Sequence, residues 1–371
     1  MLKKCIIDQT SRSFVSICFN RDGLSIGQCG LSQMPSNFPC RLKLAAALIA
    51  LMILTVVIYP LNTTTSRVLL PSSNPQFNAS KLALLVETRP LPILAPLVLH
   101  LISVVPPDWP FLFMGSNDSL EAIDASFAIR QRVTEGKLTL APVPANMSVQ
   151  GQEMVSRFFT NLWLYEEVLH PAEWLLVFQT DSIICANSKH DLDEYLEYDW
   201  VGAPWNPNSA WGGNGGLSLR RVSRIIDVLQ NHQRPHDAEP EDVWLTERLA
   251  SHPEAKLANG TVSLTFSGEL HSGLPEKVDK MRSNVTLEDN KNTRGIDDWR
   301  VGFYEPMGYH TGGGGVWLHA PIWGTPELRR HIWSYCPEVK MTLDMDVAKY
   351  MPGNCRSRWK RLPHETLGHM S

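Results

Sequence analysis

Five large apolar residues, Trp174-Leu175-Leu176-Val177-Phe178, run directly into Gln179-Thr180-Asp181-Ser182. A short run that is apolar at every position predicts a strand covered on both faces. The carboxylate at its end would stand at the rim of a sheet, where open α/β folds gather their ligands. Further along comes Trp211-Gly212-Gly213-Asn214-Gly215-Gly216-Leu217-Ser218-Leu219-Arg220. Its glycines let backbone approach a neighbour closely, and Asn214 offers both a donor and an acceptor.

Other segments extend the pattern. Leu82-Ala83-Leu84-Leu85-Val86, Phe111-Leu112-Phe113-Met114 and Leu138-Thr139-Leu140 predict further strands. Helices are expected over 91–104, 119–132 and 152–170, the last with Val155, Phe158, Phe159, Leu162 and Leu169 near helical spacing. Two more are expected over 223–230 and 242–249, and the polar stretch 271–300 reads as a loop. Strands alternating with helices predict an α/β fold, a mainly parallel sheet flanked by helices. With 371 residues, 43% of them hydrophobic, the chain can bury a sizeable core. A net charge of -4, and no basic run after residue 60, argue against a nucleic-acid partner.

The run Leu44 to Tyr59 carries no charge, and with its neighbours it predicts a membrane-spanning signal anchor over 42–61. The segment ahead of it is too long for a signal-peptide n-region. It holds Lys3, Lys4, Arg12, Arg21, Arg41 and Lys43 against Asp8 and Asp22. The positive-inside rule then makes residues 1–41 a cytosolic tail, without periodicity, and sends the rest across the membrane. Residues 62–80 read as a stem and 81–335 as the folded domain, with 336–371 as a C-terminal extension. Six N-x-[ST] sequons begin at Asn62, Asn78, Asn117, Asn146, Asn259 and Asn284, all beyond the anchor. They agree with a type II protein of the Golgi or endoplasmic reticulum membrane. Of seven cysteines, Cys185, Cys336 and Cys355 follow the anchor. They permit three pairings; Cys336–Cys355, clipping the extension, is the expected one, with Cys185 a buried thiol.

Taken singly, the polar candidates are weak. Asp181 could be an exposed turn acid, or a hard oxygen ligand for Mg²⁺ or Mn²⁺. Glu241 and Asp242 could stabilise a helix start, or one could deprotonate a hydroxyl as general base. His310, ahead of Gly312 to Gly315, could be a core histidine or could close over a metal or phosphate.

Taken in order, the set resembles the GT-A class of nucleotide-sugar glycosyltransferases. The nearer resemblance is to an uncharacterised, mainly fungal family of predicted GT-A-like glycosyltransferases. It is carried by Val86-Glu87-Thr88-Arg89, Phe178-Gln179-Thr180-Asp181-Ser182, Asp199-Trp200-Val201-Gly202-Ala203-Pro204-Trp205, Gly213-Asn214-Gly215-Gly216-Leu217-Ser218-Leu219-Arg220, Pro240-Glu241-Asp242-Val243, Gly308-Tyr309-His310 and the tail Tyr335 to Leu343. The resemblance covers roughly residues 81–355. It implies a GT-A-like fold and a nucleotide-sugar donor, with Mn²⁺ or Mg²⁺ on Asp181 and His310. Glu87, Arg89 and Gln179 would lie near the nucleotide, and Trp205, Trp211, Asn214, Gly215 and Gly216 around the sugar. Asp242 or Glu241 would be the base. The chain departs from the wider GT-A pattern at Gln179, which stands where the first acid of a D-x-D triplet is expected and brings no charge. A non-catalytic glycan-binding or scaffold protein, and a metal-dependent nucleotide-diphosphate hydrolase, are the alternative readings.

Overall fold

The computed structural model describes residues 15–20, 23–28, 76–271, 305–324 and 326–343. The chain divides into two units, Met1–Ser66 and Arg67–Ser371. In the first, β1 (Val15–Asn20) and β2 (Gly23–Gln28) pair antiparallel, a hairpin within a tail expected to lack regular structure. The expected anchor at 42–61 lies outside the described residues. Among those described, no helix is long and apolar enough to cross a membrane.

The second unit is built on a six-stranded sheet. Its strands are β3 (Lys81–Val86), β4 (Phe111–Gly115), β5 (Leu138–Pro142), β6 (Trp174–Phe178), β8 (Trp200–Gly202) and β9 (Leu217–Arg221), in spatial order β5-β4-β3-β6-β9-β8. The first four in that order are parallel, and β9 runs antiparallel to both neighbours. A smaller sheet pairs β7 (Ser182–Ile184) with β11 (Gly308–His310), and β11 with β10 (Ser267–Gly268).

Side chains alternate across each central strand, so the apolar runs feed two cores at once. Leu176 and Phe178 join Ala83, Leu85, Phe111 and Phe113 on one face. Leu175 and Val177 join Leu82, Leu84, Leu112 and Met114 on the other. Burial on both faces is the physical reason for an unbroken apolar run rather than an alternating one.

Helices cover the sheet: α1 (Leu94–Val104), α2 (Asn117–Asp124), α3 (Phe127–Thr134), α4 (Gln152–Phe159), α5 (Val222–Asn231), α6 (Glu241–Ala250), α7 (Gly260–Phe266), α8 (Ala320–Trp323) and α9 (Pro326–Tyr335). Two expected helices are broken. The 119–132 helix splits at Ser126, whose side chain accepts from the Ile129 N–H and starts a new helix. The 152–170 helix stops at Phe159 and resumes as a π-helical turn, Leu164–Val168.

The disulfide corrects a further expectation. Cys336 is bonded to Cys185, the residue after β7, with Cα atoms 5.0 Å apart. The strand delivers Cys185 to the turn that follows α9, so Cys336 is not free to bond Cys355, which lies outside the described residues.

Candidate active site

Asp181 and His310 meet because β7 and β11 pair antiparallel. His310 stands opposite Ser182, and the Thr311 N–H donates to the Asp181 carbonyl at 2.8 Å. That register leaves His310 Nε2 3.3 Å from Asp181 Oδ1. Behind the ring, Nδ1 lies 3.2 Å from Oε1 of Glu269, the residue after β10. All three are buried, at 6%, 6% and 9% exposure, so they interact with each other rather than with bulk water.

The electrostatics follow from that order. Burial alone would drive the His310 imidazole towards neutrality, but the flanking Asp181 and Glu269 outweigh it and raise His310 to about 10. Burial also works to raise the Asp181 carboxyl. His310, and the Gly314 amide that donates to Oδ2 at 2.9 Å, hold it below the usual carboxylate range. The amide reaches Asp181 because Gly312 to Gly315 all take φ between +56° and +85°, a left-handed run that side-chain-bearing residues resist.

The run Gly212 to Gly216 forms a glycine wall beside this pair. A Cβ added to Gly216 would meet His310 Nε2 at 2.4 Å and Gln179 Oε1 at 2.8 Å. One added to Gly215 would meet Glu241 Oε1 at 2.6 Å and Arg220 Nη2 at 2.8 Å. The two glycines therefore back onto different groups, Gly216 onto His310 and Gln179, Gly215 onto the start of α6. Gly213 packs against the backbone of Gly202, where an added Cβ would lie 2.6 Å from the Gly202 carbonyl oxygen. The Trp205 ring closes on Gly212, and Trp205 and Trp211 are half-buried. Asn214 Oδ1 accepts from the Gly216 N–H at 2.6 Å, which commits its acceptor to holding the turn.

Glu241 and Asp242 open α6 and separate in role. Arg220, fully buried, donates from Nη2 to Glu241 Oε1 at 3.0 Å. Its guanidinium lies 4.3 Å from the Trp200 ring centroid and 5.0 Å from that of Phe159. An unpaired guanidinium there would be costly, so Glu241 is committed to neutralising it. Asp242 accepts from the Gly215 and Val243 N–H groups at 2.9 and 2.8 Å. Burial, then the neighbouring Glu241 charge, raise its carboxyl to about 6 despite those bonds.

Glu87 and Arg89 follow β3, alongside the end of β6. Arg89 Nε and Nη2 donate to the two carboxylate oxygens of Glu87 at 3.0 and 2.7 Å, a bidentate pair. Elsewhere among the described residues, Glu153, His236 and Asp237 bring three ligand atoms within 4.8 Å of one another. That group is open to solvent, and Glu153 is already held by Arg157 and Arg234.

Asp181 and His310 have the donor set for a divalent cation. Both are buried, and neither His310 ring nitrogen nor Glu269 Oε2 makes a hydrogen bond of good geometry. Glu269 was not foreseen. It sits in Ser267-Gly268-Glu269, where the strand is too short to announce itself by alternation.

A family model described as "Protein of unknown function (DUF5672)" matches residues 137–282. That span holds Asp181, the glycine wall, Glu241, Asp242 and Glu269; Glu87 and His310 fall outside it. No curated protein matches the chain. Among solved structures, it is similar to the mannosyltransferase PcManGT from Pyrobaculum calidifontis in complex with GDP-Man and Mn²⁺. Identity is 13% over 58% of this chain and 64% of that one, with a TM-score of 0.33. It is also similar to apo GlyE, a glycosyltransferase of Streptococcus pneumoniae, at 12% identity over 73% and 62%, TM-score 0.39. A third is core-mannan synthase A from Aspergillus fumigatus in its Mn/GDP form, at 8% identity over 67% and 78%, TM-score 0.30. The chain thus spans about three-fifths of the length of the first two. The mixed α/β fold with a mainly parallel sheet rests on this chain's own strand order and pairing.

Proposed function

We propose that the protein is a metal-dependent glycosyltransferase that moves a glycosyl unit from a nucleotide-diphosphate sugar to a hydroxyl acceptor. The observation that carries this reading is the buried Asp181–His310 pair, pinned from behind by Glu269 and walled by Gly216.

Asp181 and His310 Nε2 would hold Mn²⁺ or Mg²⁺, whose charge would offset the charge building on the leaving diphosphate. For that, Nε2 gives up its proton while Nδ1 keeps its own, facing Glu269. Gln179 supplies a neutral oxygen beside His310, suited to a ribose hydroxyl or a water. Glu87 and Arg89 would lie at the nucleotide end, with Trp205 and Trp211 bordering the sugar. If the anomeric centre inverts, Asp242 takes the acceptor hydroxyl proton as the new C–O bond forms and the bond to diphosphate breaks. If it is retained, Asp242 positions the acceptor. Glu241, bound to Arg220, holds the wall.

We place this domain on the luminal side of the Golgi or endoplasmic reticulum membrane, behind a signal anchor at 42–61. Two observations support the placement. The sequon asparagines Asn78, Asn117, Asn146 and Asn259 are exposed, and the buried Cys185–Cys336 bond suits an oxidising compartment.

The test is nucleotide binding by the full-length protein, read as a thermal shift against UDP-, GDP- and CMP-linked sugars with Mn²⁺ or with chelator. Stabilisation by one nucleotide class, dependent on metal and lost in Asp181→Ala, is the expected result. A folded protein that no nucleotide stabilises would shift the reading to a non-catalytic binding protein.

A further inference from the structure

We propose that Trp317 is the stacking platform for a sugar ring of the acceptor, an inference that rests on the transferase reading above. Trp317 is 64% exposed, and Val316 beside it is 45% exposed. An exposed indole is uncommon for so large an apolar surface, and this one is fixed in position. A Cβ added to Gly313 would meet the Trp317 ring at 2.6 to 2.9 Å, at Cδ2, Cγ and Cε2. The ring therefore lies against the glycine backbone on one side and is open on the other. The Trp317 N–H also bonds back to the Gly312 carbonyl at 3.4 Å, tying the residue to the start of the left-handed run.

The same short loop ties the ring to the chemistry. Gly314 donates to Asp181 Oδ2, and a Cβ on Gly312 would lie 3.4 Å from Glu269 Oε1 and 3.7 Å from the Trp317 Cβ. The aromatic face is thus carried by the loop that closes the Asp181–His310–Glu269 group. Its chemistry suits a pyranose: the C–H face of the ring covers the indole, while the hydroxyls on the rim stay in water. Trp205 packs on a different glycine run, against Gly212, and borders the donor sugar in the reading above. A second, solvent-facing aromatic on the loop from β11 is where an incoming acceptor would rest. On the transferase reading the occupant is the terminal sugar of a glycan.

The experiment is saturation-transfer NMR on the full-length protein with the methyl glycosides of mannose, glucose, galactose and N-acetylglucosamine as probes. The same preparation is assayed for the metal-dependent nucleotide shift. At least one glycoside should receive saturation on the protons of one ring face. Trp317→Ala should weaken its binding by about tenfold or more, as truncation of a central aromatic anchor does, and Trp317→Phe should recover most of it. Trp317→Phe keeps a ring, so it reports on stacking even if the alanine variant is less stable. No saturation with any glycoside, or a signal that survives Trp317→Ala, overturns the platform. A wild-type protein that binds glycosides through Trp317 but shows no metal-dependent nucleotide shift overturns the transferase reading instead.

Discussion

The Cys185–Cys336 bond gives a prediction whose size can be worked out. It joins residues 151 apart in sequence, tying the end of β7 to the turn after α9. Closing a loop that long removes roughly 17 cal/mol/K from the unfolded chain, about 5 kcal/mol at 25 °C as a ceiling, against a more usual 2–4 kcal/mol. In a domain of this size each kcal/mol moves Tm by about 2–4 °C, so reduction should lower Tm by roughly 4–16 °C. The loss should also reach the site. β7 begins one residue after Asp181, and Thr311, which donates to the Asp181 carbonyl, contacts Thr342 in the C-terminal segment at 3.5 Å. Scanning calorimetry of wild type with and without dithiothreitol, beside Cys185→Ser/Cys336→Ser, measures the first effect. The metal-dependent nucleotide shift of the same samples measures the second. Non-reducing peptide mapping that recovers a Cys336–Cys355 peptide, or a Tm indifferent to reductant, would refute the argument.

Two further predictions rest on the site. Glu269→Gln removes the charge that faces His310 Nδ1 while keeping the shape, so Mn²⁺ affinity, read by electron paramagnetic resonance of free Mn²⁺, should fall about 10–100-fold; unchanged affinity would mean Glu269 does not orient the ring. Asp242, raised from 3.8 to about 6, binds its proton more tightly in the folded than the unfolded chain, so the stability this contributes is present at low pH and lost as pH rises through about 6. Across that window wild type should lose stability relative to Asp242→Asn in urea titrations, and an inverting transfer rate should rise over the same window as the base ionises.

Much of the large sheet could be read from the sequence, because a strand buried on both faces has to be apolar throughout. Trp174–Phe178, Lys81–Val86 and Phe111–Gly115 announce themselves in this way. The small sheet could not be read. Ser182–Ile184, Ser267–Gly268 and Gly308–His310 are two or three residues each, too short to show a period, and their pairing is set by tertiary contact. That gap explains the missed residues. Glu269 and Cys185 sit at the ends of those strands, so neither the partner of His310 nor that of Cys336 could be named without the pairing of β7, β11 and β10. The break in the 119–132 helix has a local cause instead, a serine cap at Ser126 that competes with helix continuation.

The glycine wall shows why the site's residue types were legible while their division of labour was not. In sequence, Gly215 and Gly216 are equivalent, and Glu241 and Asp242 are interchangeable acids at a helix start. In the fold, Gly215 fits against Glu241, Arg220 and Asp242, and Gly216 against His310 and Gln179. The difference between the acids arises from β9, which places Arg220 beneath the wall where a buried guanidinium must find a carboxylate. Once Glu241 meets that need, the burial of Asp242 and then the Glu241 charge raise the Asp242 carboxyl above the usual carboxylate range. The charge balance of a core strand thus selects the candidate base, through an arginine that no motif reading would have placed in the chemistry.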